Sequence, residues 1–136
     1  MADDYDRVRP GPPDEALDWL VPKNCQIAVD IAAGTGLFTR ALRRRVADVI
    51  AVEPDERMRA VHGAALPGSA EAIPLEDASV DAVFVGEAFH WFDPAAAIPE
   101  LVRVLRPRGG VAVVGTHWWE TEPPLPDAAL ELLHEP

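Results

Sequence analysis

The feature that most constrains the fold is the passage Gln26-Ile27-Ala28-Val29-Asp30-Ile31-Ala32-Ala33-Gly34-Thr35-Gly36-Leu37-Phe38-Thr39. An apolar run ends at an acid, turns on glycines and enters a helical pattern. Continuous runs of this kind suit strands covered on both faces, as in a parallel sheet. Glycines at the turn let the backbone come close to a ligand, because no side chain stands in the way. A helix is predicted from Leu37 to Val46, and a second apolar run, Val49-Ile50-Ala51-Val52, follows it and ends in Glu53. Strand, glycine turn, helix and strand in this order begin an alternating α/β fold.

The rest of the chain extends the alternation. Asp14 to Leu20 reads as a short helix, with Asp14 and Glu15 near its positive end, Leu17 and Leu20 on one face, and Pro22 closing it. In the helix after the glycines, Leu37, Ala41 and Leu42 share a face, while Arg43, Arg44 and Arg45 fall where the helix dipole favours cations. Asp55 is placed to cap a further helix carrying Met58 and Val61, which Gly63 ends. Ala64 to Ala70 leaves room for only a very short third strand. Val80 to Val85 is a fourth, and Asp93-Pro94 opens a helix on which Ile98, Leu101, Val102 and Leu105 recur at helical spacing. Pro107 and Gly109-Gly110 then turn the chain into a last strand, Val111 to Val114. The pattern predicts a Rossmann-like open sheet, mainly parallel, of about five strands with helices on both faces. Its ligand crevice is expected at the carboxyl ends of the strands, beside the reversal in strand order.

With 136 residues and 14.7 kDa, the chain has the size of one domain that buries roughly two-thirds of its unfolded surface. It divides into an N-terminal cap segment (1–22), a core (23–116) and a tail (117–136) with a short helix pattern from Asp127 to His134. A net charge of -11 argues against nucleic acid and anionic membrane surfaces as partners, since both are held by lysines and arginines. The lone Cys25 makes no intrachain disulfide, and His62, His117 and His134 show no metal spacing, so no metal is expected. Acids at Asp3, Asp4 and Asp6 stand where a signal peptide carries positive charge, and the chain reads as cytoplasmic.

Two ligand classes compete for the glycine loop. A nicotinamide fingerprint would put its third glycine at Thr39, and Asp30 would oppose a pyrophosphate, so that pattern is incomplete. A carboxylate beside the loop instead suits a cationic ligand such as an ammonium or sulfonium group, which points to S-adenosylmethionine. Glu53, at the end of the second strand, offers two acceptor oxygens that match two vicinal ribose hydroxyls. The bland alternatives are an ordinary strand-to-helix turn and a solvated strand-end acid.

The motifs Asp30-Ile31-Ala32-Ala33-Gly34-Thr35-Gly36, Glu53, Gly68-Ser69-Ala70-Glu71-Ala72-Ile73-Pro74 and Leu105-Arg106-Pro107-Arg108-Gly109-Gly110 resemble the successive motifs of class I S-adenosylmethionine-dependent methyltransferases. The likeness is to the type 11 group, and within it to small-molecule enzymes similar to trans-aconitate methyltransferases, with Arg9-Pro10-Gly11-Pro12 ahead of the first helix and Phe89-His90-Trp91-Phe92-Asp93 after the fourth strand. This resemblance implies that Asp30, Ala32, Gly34 and Gly36 hold the methionine part of S-adenosylmethionine and that Glu53 holds the ribose. It places Pro54 and Met58 on an adenine face, Ser69, Ala70 and Glu71 near the adenine edge, and Glu87 and Ala88 beside the acceptor pocket. Arg9, Trp91, Trp118 and Trp119 would face a small-molecule acceptor. His90 would serve as a base, or merely orient an acceptor that is already a carboxylate; the alternative for His90 and Trp91 is packing beneath the helix that Asp93 caps.

The chain departs from that family in three places. Ala32 stands where a glycine is common, the third-strand region is compressed, and the sequence lacks the usual C-terminal strand pair. Two consequences are expected: a homo-oligomer that covers the last strand, and, as the rival reading to a small-molecule methyltransferase, a noncatalytic S-adenosylmethionine-binding module that has lost its acceptor half.

Overall fold

The computed structural model describes residues 14–86 and 91–114. The chain enters through α1 (Asp14–Leu20) and continues with β1 (Ile27–Ile31), α2 (Leu37–Arg43), β2 (Asp48–Glu53), α3 (Glu56–His62) and β3 (Leu66–Pro67). It then passes through β4 (Val80–Gly86), α4 (Pro94–Val104) and β5 (Leu105–Val114). The five strands form one sheet in the order β3-β2-β1-β4-β5, and every pairing is parallel. The order reverses between β1 and β4, as expected of a doubly wound sheet, so the glycine loop after β1 emerges at the reversal.

Side-chain alternation along the strands builds two apolar layers. Val29 and Ile31 of β1, Val52 of β2 and Val83 and Val85 of β4 lie in one layer with Ala97, Leu101 and Val104 of α4. Ala28 of β1, Val49 of β2 and Ala82 and Phe84 of β4 lie in the other, with Leu17 of α1 and Ala41, Leu42 and Val46 around α2. Phe38 of α2 meets Phe84 edge to face at 6.0 Å between ring centres.

Several elements differ from the sequence expectation for identifiable reasons. The helix after the glycines ends at Arg43, and Arg45 and Val46 close a turn onto the Leu42 carbonyl. On α4 the buried face is Ala97, Leu101 and Val104, whereas Val102 is exposed and Leu105 already belongs to β5. The last strand begins at Leu105, which pairs with Val80; the ladder shifts and resumes where Gly110 pairs with Ala82. Pro107 and the left-handed Arg108 (φ 69°) fall inside that irregularity, which explains why they read as a turn. β3 is only two residues long, as the compressed region predicts.

The predicted caps are formed. Asp55 accepts the Arg57 N–H at 2.8 Å, Gly63 ends α3 with φ 83°, and Asp93 accepts the Ala95 N–H at 3.2 Å ahead of Pro94. Asp81 accepts the backbone N–H groups of both Gln26 and Ile27 at 3.0 Å, which fixes the start of β1 against β4. Among the described residues, no helix is long and apolar enough to cross a membrane, and no group of metal-ligating side chains is found.

Candidate functional site

The site grows from side-chain parity. Asp30 shares the face of Ala28, and Glu53 that of Val49 and Ala51, so both acids point to the side of the sheet that α2 covers. Asp30 pairs with Ala51 in the parallel register, which puts Glu53 two residues further along the neighbouring strand. Both acids are buried, Asp30 to 1% exposure and Glu53 to 6%.

Each acid is tied into the loop. Glu53 Oε1 accepts the Gly34 N–H at 2.8 Å and Oε2 accepts the Asp55 N–H at 2.7 Å. The Glu53 and Pro54 carbonyls accept from Arg59 Nη1 at 3.0 and 2.8 Å, which holds the strand end in place. Asp30 Oδ2 accepts from Thr39 Oγ1 at 2.6 Å. Burial pushes the Asp30 carboxyl up to about 7; the Thr39 hydroxyl and Arg43 pull against this, and the neighbouring Glu53 adds to it. An acid in this setting is stabilised by a cation arriving beside it.

The loop itself is left-handed at three alternate positions, Ala32 (φ 57°), Gly34 (φ 59°) and Gly36 (φ 100°). Its Ala33 N–H donates to the Val52 carbonyl at 3.0 Å, so the loop folds back over the end of β2. Among the described residues, nothing lies within 4 Å of where a Cβ on Gly34 would sit, although its N–H is fixed by Glu53. The backbone is therefore approachable at that point, as a ligand cradle requires. Ala32 adopts the same conformation without glycine's freedom, and the glycine common at that position in the resembled family has a physical reason here.

The remaining predicted residues are placed unevenly. Pro54 is exposed beside Glu53, and Met58 is half-buried on α3. Ser69 and Ala70 follow β3, whose Pro67 pairs with Glu53, so they emerge at the correct strand end. Ala70 is buried in the core, while Ser69 beside it is half-buried. Glu71 Oε1 accepts the Asp93 N–H at 2.9 Å and so anchors the start of α4. Trp91 is 79% exposed and does not pack beneath that helix, contrary to the packing alternative. Arg9, Glu87, Ala88, His90, Trp118 and Trp119, like the helix predicted from Asp127 to His134, lie outside the described residues. Sequence reasoning missed Thr39, Arg59 and His62. Thr39 stands where a third glycine would have been, and its burial among apolar neighbours was the signal available.

A doubly wound sheet with a glycine loop and two buried acids at its reversal defines a nucleotide-cofactor domain. Comparison with known proteins sharpens the class. The chain matches the methyltransferase-domain family over residues 29–113. It is 50% identical over 123 residues to an uncharacterised methyltransferase of Mycobacterium tuberculosis, an alignment covering 86% of this chain and 49% of that protein. It is 37% identical over 129 residues to an uncharacterised methyltransferase-like protein of Schizosaccharomyces pombe, covering 87% of this chain and 49% of that one. A solved SAM-dependent methyltransferase from Thermotoga maritima superimposes with TM-score 0.63 at 32% identity, over 74% of this chain and 48% of its own. Another from Aquifex aeolicus gives TM-score 0.73 over 82% and 69%, and at 24% identity its likeness is one of fold. The chain belongs to the methyltransferase-domain family, and it spans about half the length of the curated relatives it matches.

Proposed function

We propose that the chain carries the cofactor half of a methyltransferase that transfers a methyl group from S-adenosylmethionine to a small-molecule acceptor. The family and the structural neighbours support S-adenosylmethionine as the cofactor. The observation that carries the site reading is Glu53, a buried carboxylate whose two oxygens each take one backbone N–H, at Gly34 and Asp55. A carboxylate oxygen accepts two hydrogen bonds, so each retains capacity for a ribose hydroxyl.

The residues fit the group. Glu53 would take the ribose, Asp30 with the backbone of Ala32, Gly34 and Gly36 the charged methionine end, Pro54 and Met58 an adenine face, and Ser69, Ala70 and Glu71 its edge. When bound, S-adenosylmethionine supplies a methyl group on a positively charged sulfur that leaves as a neutral thioether. The protein's part is then to align the acceptor and exclude water, which can supply much of the acceleration without a dedicated base. Glu87 and Ala88 would border the acceptor. His90 would take an acceptor proton where there is one, with Arg9, Trp91, Trp118 and Trp119 around it. A second copy of the chain would cover β5, and light scattering that gives a monodisperse monomer would refute that.

Calorimetry with S-adenosylhomocysteine tests the reading. The parent chain should bind, and Glu53→Ala should bind at least tenfold more weakly, since two charge-assisted hydrogen bonds to the ribose are lost. Absence of binding by the parent, or equal binding by a folded Glu53→Ala chain, would remove the proposal.

A further inference from the structure

His62 closes a chain of hydrogen bonds that begins at Asp30. Thr39 Oγ1 lies 2.6 Å from Asp30 Oδ2 and 3.0 Å from His62 Nε2. The other ring nitrogen, Nδ1, accepts the Ala64 N–H at 3.2 Å. In the neutral ring an accepting Nδ1 carries no proton, so the ring hydrogen is on Nε2 and points at Thr39. Burial, followed by Arg43 and Arg40, lowers the pKa of His62, which favours that neutral form. A hydroxyl that accepts from Nε2–H has its own proton left for Asp30. The ring also lies against the loop, because a Cβ on Gly36 would stand 3.0 Å from His62 Cδ2.

We propose that His62 is a positioning residue for the cofactor site: through Thr39 it commits a hydroxyl proton to Asp30 and so favours the charged, cation-accepting form of that buried carboxylate. This rests on the reading of the crevice as an S-adenosylmethionine site. Among the described residues, the charged groups bearing on Asp30 are Arg43 from α2 and Glu53 from β2, with His62 of α3 acting through Thr39. Its β4 partner, Phe84, is apolar. Arg43 and Glu53 oppose each other, which leaves the Thr39 hydroxyl as the directed contact that works against burial. Thr39 is fully buried and belongs to α2, while His62 belongs to α3, so the arrangement joins the two helices that flank the loop.

Two measurements on the full chain decide it. In the cofactor-free protein, the Asp30 carboxyl is titrated by carbon NMR; in parallel, affinity for S-adenosylhomocysteine is followed by calorimetry from about pH 5 to about pH 8.5. Thr39→Val and His62→Leu should move the Asp30 midpoint, and the acid limb of the affinity profile, to higher pH, weakening binding about tenfold near neutrality. His62→Gln keeps an N–H donor for Thr39 and should restore the parent profile. A purely structural role would lower affinity equally at every pH. An unmoved midpoint in the folded Leu variant, or a Gln variant that behaves like Leu, would overturn the proposal. His62 is only partly buried, so its variants carry the comparison should Thr39→Val not fold. Failure of the parent to bind would refute the cofactor reading instead, and the NMR titration would still decide whether His62 and Thr39 set the charge of Asp30.

Discussion

Replacing Asp30 by Asn should stabilise the cofactor-free chain, and the gain should grow as pH rises. Burial raises the Asp30 carboxyl from an ordinary 3.8 to about 7. A raised carboxyl makes the protonated form the favourable one in the fold, so its contribution is fully present below 3.8 and is lost as pH rises through about 7. At 1.36 kcal/mol per pH unit, this gap is worth at most roughly 4 kcal/mol of stability withheld at alkaline pH. Asn retains an acceptor for the Thr39 hydroxyl and never ionises, but its amide protons need partners, and leaving them unmet would cost about 2 kcal/mol. The expected net gain is therefore about 2 kcal/mol near pH 8 and close to zero near pH 5. Urea unfolding at both pH values measures it, and thermal melts should show a rise of roughly 5–10 °C at the higher pH only. A difference that stays flat with pH, or an Asn variant that is less stable near pH 8, would refute the assignment of Asp30 as a strained buried acid. The same substitution should weaken S-adenosylhomocysteine binding, because the feature that destabilises the empty fold is the one proposed to meet a cation.

Ala32→Gly should raise stability by up to about 1 kcal/mol, since the left-handed backbone at φ 57° penalises a Cβ more than glycine's added freedom in the unfolded chain does; a lowered melting temperature would show that the Ala32 methyl matters more than the strain. Arg103 ties the carbonyls of Ile73 and Leu75 (2.9 and 2.8 Å) to Asp77 (2.8 Å) and Glu100. Arg103→Leu should therefore lower the melting temperature by several degrees and raise proteolysis between residues 71 and 79, whereas unchanged protection there would show the clip to be dispensable.

Strands β1, β2 and β4 were legible because each is centred on a run of apolar residues. Ile27–Ile31 is read with its observed bounds, and β2 and β4 extend past the apolar run only to the residues that flank it. The caps at Asp55, Gly63 and Asp93 were legible for a related reason, in that they are local chemistry between near neighbours. What sequence periodicity misjudged was the end of α4. Leu105 continues the helical spacing of Leu101, yet it pairs with Val80 as a strand, because a free edge of β4 offers backbone hydrogen bonds that a spacing argument does not weigh.

The site was legible in its acids and glycines, and not in what controls them. Asp30 and Glu53 stand out because each ends an apolar run, and strand parity sends both to one face once the register is known. The partners of Asp30 come from two helices: Thr39 lies nine residues along the chain, and His62 a further twenty-three. No periodicity links those three positions; only the packing of α2 and α3 around one loop brings them together. Thr39 shows how such a residue can be misread. Against a nicotinamide fingerprint it is a missing glycine, a defect in a pattern. In the fold it is a fully buried hydroxyl 2.6 Å from the acid. A glycine there would leave the Asp30 carboxylate without its hydroxyl donor, so the residue that breaks one cofactor's pattern is the one that makes a charged acid tolerable beneath this loop.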